Sequence, residues 1–176
     1  EQDFLDDLQN HPVQTLHFLF FQAHSTLISF DRGGTTCTLT VIINEKLYIA
    51  NVGDSTCIVF DGNSNLIGKS VDHDPLNPDE IRRIKESSNS DTGLFYTRTK
   101  ISVVNSNLTD PEQYKELISD GGTYKNVSCE WATVIRSIQN PSNSLAMTRS
   151  LGDNHMTSLG VIHVPTIQVF DLTHCP

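Results

Sequence analysis

Leu47-Tyr48-Ile49-Ala50-Asn51-Val52-Gly53-Asp54-Ser55 is the stretch on which the fold turns. An apolar run stops at a glycine, and an acid follows it, so the segment reads as a strand whose end lies at the rim of a sheet. Upstream, Thr35 to Asn44 is rich in Thr, Val and Ile, side chains that suit a pleated surface. The polar Asn44-Glu45-Lys46 between the two runs predicts an antiparallel hairpin. Downstream, Thr56 to Phe60 and Leu66 to Ser70 flank a turn at Asp61-Gly62-Asn63, which predicts a meander of about four strands.

Helices flank this unit. Val13, Leu16, Leu19, Phe20, Ala23 and Leu27 recur at spacings of three and four, predicting an amphipathic helix over 13–28 with Pro12 in its first turn. Asn77-Pro78-Asp79-Glu80 has a cap residue, a first-position proline and first-turn acids, and it predicts a helix over 78–86 with Ile81 and Ile84 inward. Ser87 to Asn143 is the least periodic part and reads as an insertion, with a short helix after Asp110-Pro111-Glu112 ended by Gly121-Gly122. Strand-like runs return at Val161 to Val164 and Ile167 to Leu172. Hairpins with helices outside them indicate an α+β layered domain rather than alternating βαβ units.

The length, 176 residues, suits one domain. The net charge of −9 provides no cationic field for nucleic acid or an anionic leaflet. No window approaches the roughly 18 apolar residues of a membrane span. The opening Glu1-Gln2-Asp3 has no initiator Met and no signal-peptide pattern, so an internal piece of a longer chain is expected. Cys37, Cys57, Cys129 and Cys175 are too scattered for a disulfide framework, and a cytoplasmic or other reducing compartment is the expectation. Oligomeric state is not legible.

Several chemistries fail on spacing. Gly33-Gly34-Thr35-Thr36 lacks the lysine of a phosphate loop and precedes a strand. Asp61-x-Asn63-x-Asn65 opens like a calcium loop, but Leu66 stands where the sharp turn needs glycine. Cys129 and Arg136 are one residue too far apart for a cysteine-phosphatase loop, and the seven histidines show no zinc spacing. There is no G-x-S-x-G elbow. Asn107-Leu108-Thr109 and Asn126-Val127-Ser128 fit the glycosylation pattern without a secretory context. Asp54 remains, either as a turn acid or as an oxygen ligand for Mg²⁺ or Mn²⁺.

Four ordered blocks resemble the metal-dependent protein phosphatases of type 2C. They are Gly34-Thr35-Thr36; Leu47 to Ser55; Asp72-His73-Asp74-Pro75 with Pro78, Glu80, Arg83 and Ile84 beyond it; and Leu145-Ala146-Met147-Thr148-Arg149-Ser150-Leu151-Gly152-Asp153. The resemblance covers about residues 13–172. It implies an antiparallel β-sandwich flanked by helices, incomplete at both ends, with residues 1–176 a partial domain carrying a long insertion at about 87–143. It also implies a binuclear Mg²⁺/Mn²⁺ centre that activates water against phosphoserine or phosphothreonine esters.

The family's principal metal-binding blocks, Asp-Gly-His-Gly, Asp-Gly-x-Trp-Asp and a late Asp-Asn pair, do not occur here. The resemblance therefore places the main ligands outside this span and gives Asp54 an accessory metal position, with Gly53 and Ser55 supporting it. Asp120-Gly121-Gly122 reads as a helix terminator. Arg149 and Asp153 match a segment expected to pair and turn rather than ligate. Thr56 stands where the family commonly has Arg, and Asp74 where it commonly has Lys. These departures leave a second expectation, a catalytically inactive pseudophosphatase that binds protein partners, with these 176 residues alone inactive and marginally folded.

Overall fold

The computed structural model describes residues 2–30, 32–87, 92–98, 131–140 and 142–173. Two helices open the chain, α1 (Gln2–Asn10) and α2 (Pro12–Leu27). α2 is the helix that the spacing predicts, with Pro12 in its first turn and Leu16 and Phe20 buried. α1 lies outside the periodic reading and is anchored through Leu8, which packs against the same core.

After the short β1 (Gly34–Thr35), strands β2 (Cys37–Ile43) and β3 (Lys46–Val52) form the predicted hairpin, in register from Cys37↔Val52 to Ile43↔Lys46. Asn44 and Glu45 both have positive φ (48° and 60°), the backbone of a tight two-residue turn that matches strand twist. Tyr48, Ala50 and Val52 share one face of β3 and pack on Leu16 and Phe20. Burying Leu16, Phe20 and Val52 contributes about 1.5–3 kcal/mol each.

Leu47, Ile49 and Asn51 take the other face of β3. Strand β10 (Thr166–Asp171) pairs antiparallel with β3 and sets Phe170 opposite Leu47. β4 (Ile58–Phe60) and β5 (Leu66–Lys69) form a second hairpin. Gly68 of β5 lies so close to the Phe170 ring that a Cβ there would fall 2.4 Å from it. The order is therefore helix, three-stranded sheet β10-β3-β2, then hairpin, and β3 is buried on both faces.

Three expectations change. The four strands do not run as one meander: among the described residues β3 pairs with β10 rather than β4. Gly53, at φ 98°, turns the chain out of the ladder, and a strand from the C-terminal part takes the vacated edge. Within Ser87 to Asn143, after helix α3 (Pro78–Ser87), strand β6 (Thr92–Arg98) pairs with β7 (Trp131–Ser137) from Thr92↔Ser137 to Arg98↔Trp131. β8 (Ser144–Leu145) pairs with β7 in turn. The partner strand lies far along the chain, so nothing local announces the pairing. The expected helix near Asp110, both glycosylation patterns, Cys129 and Cys175 lie outside the described residues. Finally, Val161 to Val164 contributes only an isolated bridge, Arg149↔Ile162, because Pro165 ends the run before β10.

A second core of Ile84, Ile135, Met156, Leu159 and Val161 joins α3, β7 and the 3-10 helix Asn154–Leu159. β9 (Leu151–Gly152) returns to pair with β1. Among the described residues, no helix is long and apolar enough to cross a membrane.

Candidate functional site

Asp54 follows Gly53 at the end of β3, and the backbone around it is held from every side. A Cβ on Gly53 would lie 2.3 Å from Cγ2 of Thr36, so this residue must be glycine for space as well as for φ. The Gly53 N–H donates to Nδ1 of His73 (3.2 Å), and the Gly53 carbonyl accepts from the His73 N–H (2.9 Å) and from Nδ2 of Asn51 (3.0 Å). Nδ2 of Asn51 also donates to the Val71 carbonyl, while its Oδ1 accepts from Thr38 (2.6 Å). On the far side, the hydroxyls of Ser55 and Thr36 are 2.7 Å apart, and the Ser55 carbonyl accepts from Thr38 (3.1 Å). Between these fixed neighbours the Asp54 carboxylate is exposed and makes no hydrogen bond or ion pair among the described residues.

His73 locks this rim from inside. It is fully buried, and because Nδ1 accepts from Gly53, Nε2 carries the proton and donates to Thr166 Oγ1 at 2.8 Å. Burial pulls its pKa down to about 4; the Arg149 and Arg83 cations push the same way, against Glu80 and Asp72. The ring is neutral at physiological pH.

The Thr148 N–H donates to the His73 carbonyl and carries the network to Glu80. Glu80, only 2% exposed, sits in the first turn of α3. Its carboxylate accepts from Arg149 Nη2 (2.6 Å), Arg83 Nη2 (2.8 Å) and Thr148 Oγ1 (2.7 Å). The two guanidiniums go on to backbone carbonyls: Arg83 to Gly160 (2.7 Å) and Thr148 (3.0 Å), Arg149 to Val164 (2.7 Å). Burial raises the Glu80 pKa, but the bonds from Arg149, Arg83 and Thr148 outweigh it and bring the group down to about 2.

The sequence-derived residues thus separate. Gly53, Asp54 and Ser55 occupy one rim, whereas Arg149 is a clamp on Glu80. Asp153 is a turn residue with φ 45°; its Oδ2 accepts from Ser150 (2.6 Å) and its N–H donates to the Gly33 carbonyl. The reading from sequence missed the roles of Glu80 and His73. Glu80 looks like an ordinary first-turn acid, although the Glu80/Arg83 spacing of three was a signal for an ion pair.

Asp54 is a free, exposed oxygen ligand, but among the described residues no group of three His, Cys, Asp or Glu could hold an ion. The two substituted positions are also committed elsewhere. Thr56 donates to both oxygens of Asp72 (2.9 Å each), and Asp74 accepts from the N–H groups of Leu76 and Asn77. Asp61 is a turn acid, taking the N–H groups of Asn63 and Asn65. The described residues alone do not fit a complete metal centre.

The protein phosphatase 2C family matches residues 19–174. Protein phosphatase 1L of Bos taurus is 32% identical over 146 residues, covering 82% of this chain and 29% of that protein. A probable protein phosphatase 2C 35 of Arabidopsis thaliana is 27% identical over 157 residues, covering 86% of this chain and 40% of that one. The crystal structure of serine-threonine phosphatase 2C from Toxoplasma gondii shares the fold at a TM-score of 0.60 and 16% identity, over 99% of this chain and 51% of that one. This chain therefore spans about half or less of each protein it is compared with, and it belongs to the protein phosphatase 2C family.

Proposed function

We propose that this chain is part of a Mg²⁺- or Mn²⁺-dependent phosphatase acting on phosphoserine and phosphothreonine in proteins, and that it provides the framework while acids outside this span supply the main metal ligands. Residues 1–176 act in this reading as a partial domain, with the stretch at about 87–143 as its insertion. The observation that carries the proposal is Asp54: an exposed, unpartnered carboxylate on a backbone fixed by His73, Asn51, Thr36 and Thr38. Such an acid adds one oxygen ligand at an accessory position. The bound ions would supply the activated water and the charge facing the phosphate. What this chain's residues do is hold Asp54 in place and keep its carboxylate free.

Thr56 and Asp74 favour a second reading. Where the family commonly has cations, they make structural hydrogen bonds, so two charges that would face a phosphate are missing. A pseudophosphatase module, binding protein partners without hydrolysis, follows from that. One assay separates the two: phosphate release from a phosphopeptide by the full-length protein, with Mn²⁺ and with chelator. Chelator-sensitive turnover supports the first reading. Absence of turnover across phosphopeptides, with the protein folded and Mn²⁺ present, supports the second.

A further inference from the structure

The imidazoles of His24 and His163 stack with centroids 4.0 Å apart and planes 14° from parallel, with Phe21 tilted against His163 at 6.0 Å. His24 lies in the last turn of α2, and its Nδ1 accepts the N–H of Gly152 in β9 at 3.1 Å. The crossing is tight: a Cβ on Gly152, whose φ is 81°, would lie 2.7 Å from the Gly33 carbonyl and 3.4 Å from Cβ of Leu27. One imidazole pair thus joins three segments.

We infer that His24 and His163 form an acid-sensitive latch, which holds the C-terminal turn of α2 on β9 while both rings are neutral and lets go when either takes a proton. Protonated His24 cannot accept from Gly152, and a cation on either ring opposes one on the other. The surroundings offer little compensation. α2 contains no Asp or Glu from Pro12 to Leu27. On the β9 side, Asp153 is occupied by Ser150. On the segment carrying His163, Arg149 bonds the Val164 carbonyl and is itself paired with Glu80. Arg32 is exposed between α2 and β1, His17 lies two turns back on α2, and Asp31 is outside the described residues. The C-terminal dipole of α2 favours a cation at His24. Partial burial holds both rings below the ordinary histidine range, and His163 lowers His24 further.

The latch also reaches the rim. Gly152 pairs with Gly34, Thr36 follows in the chain, and Thr36 packs on Gly53 and bonds Ser55. Releasing Gly152 removes a support from the backbone that carries Asp54.

Nuclear magnetic resonance on the protein between about pH 7.5 and about pH 5 tests this. Both imidazoles are expected to titrate below 6.5, with the Gly152 amide shift following the His24 curve and its intrinsic-rate-corrected protection falling about tenfold per unit. His24→Asn, whose side-chain oxygen can accept from Gly152 without titrating, should abolish the amide response. His163→Phe, which keeps an aromatic ring, should move the His24 transition upward. Titration at or above 6.5, a Gly152 amide indifferent to His24, or a His24 transition unmoved by His163→Phe would each overturn the latch.

Discussion

Two carboxylates from the same family blocks meet opposite fates. Glu80 is buried, ionised and bonded to two guanidiniums and a hydroxyl, whereas Asp54 is exposed on a locked backbone and bonded to nothing among the described residues. One charge is spent on architecture and the other is kept available. His73 joins them, its main chain tied to Thr148 and Gly53 and its ring also to Gly53. An acid's role therefore follows from what saturates its oxygens, and proximity to a recognisable motif does not decide it.

The largest effect expected from breaking this contrast is at Glu80. Glu80→Ala leaves Arg83 and Arg149 facing each other with no counter-ion and should cost about 3–5 kcal/mol in a denaturant melt. A loss below about 1 kcal/mol would mean that Glu80 does not clamp Arg83 and Arg149 in the folded protein.

Gly53→Ala comes next. The positive φ and the methyl of Thr36 should together cost about 1–3 kcal/mol. Thr36→Ser removes the clashing methyl and should recover part of that loss in a double-mutant cycle, and strictly additive losses would show that the two residues do not meet.

Acid sensitivity sharpens the comparison further. His73 titrates at about 4 when folded against 6.5 when free, so the unfolded state binds more protons between those values and stability falls as pH drops through that window. Glu80 contributes the next loss, from 4.5 toward about 2, because its folded pKa is also depressed. Urea melts against pH in the His24→Asn, His163→Phe background, where neither ring of the latch titrates, should show both segments. Adding His73→Asn should flatten the upper one, and an unchanged slope there would separate His73 from the acid response.

The smallest stability change is expected at Asp54. Asp54→Asn removes an exposed carboxylate with no hydrogen bond or ion pair among the described residues and should shift the melt by no more than about 0.5 kcal/mol. The same substitution should weaken Mn²⁺ binding and metal-dependent phosphate release in the full-length protein. A large stability loss with unchanged metal response would turn Asp54 back into a turn acid.

Much of this was legible because it is local. The β2–β3 hairpin, helices α2 and α3 and the Asn77 cap, whose Oδ1 accepts the Asp79 N–H, all follow from spacing and turn chemistry within a few residues. The strand-end glycine before Asp54 was visible for the same reason. Local pattern failed where the partner is remote: β6 with β7, β10 beside β3, and Arg149 on Glu80.

The sequence by itself determined helices α2 and α3, the first hairpin, the Gly53–Asp54 stop and, through four ordered blocks, the family. Only the tertiary structure decided that β3 lies inside its sheet, that Glu80 is a buried clamp, and that His73 is neutral and aimed at Gly53. The physical reason is that propensity and turn geometry act over neighbouring residues. Burial and charge saturation depend on groups that folding brings together from far along the chain, and those fix what a titratable side chain can do.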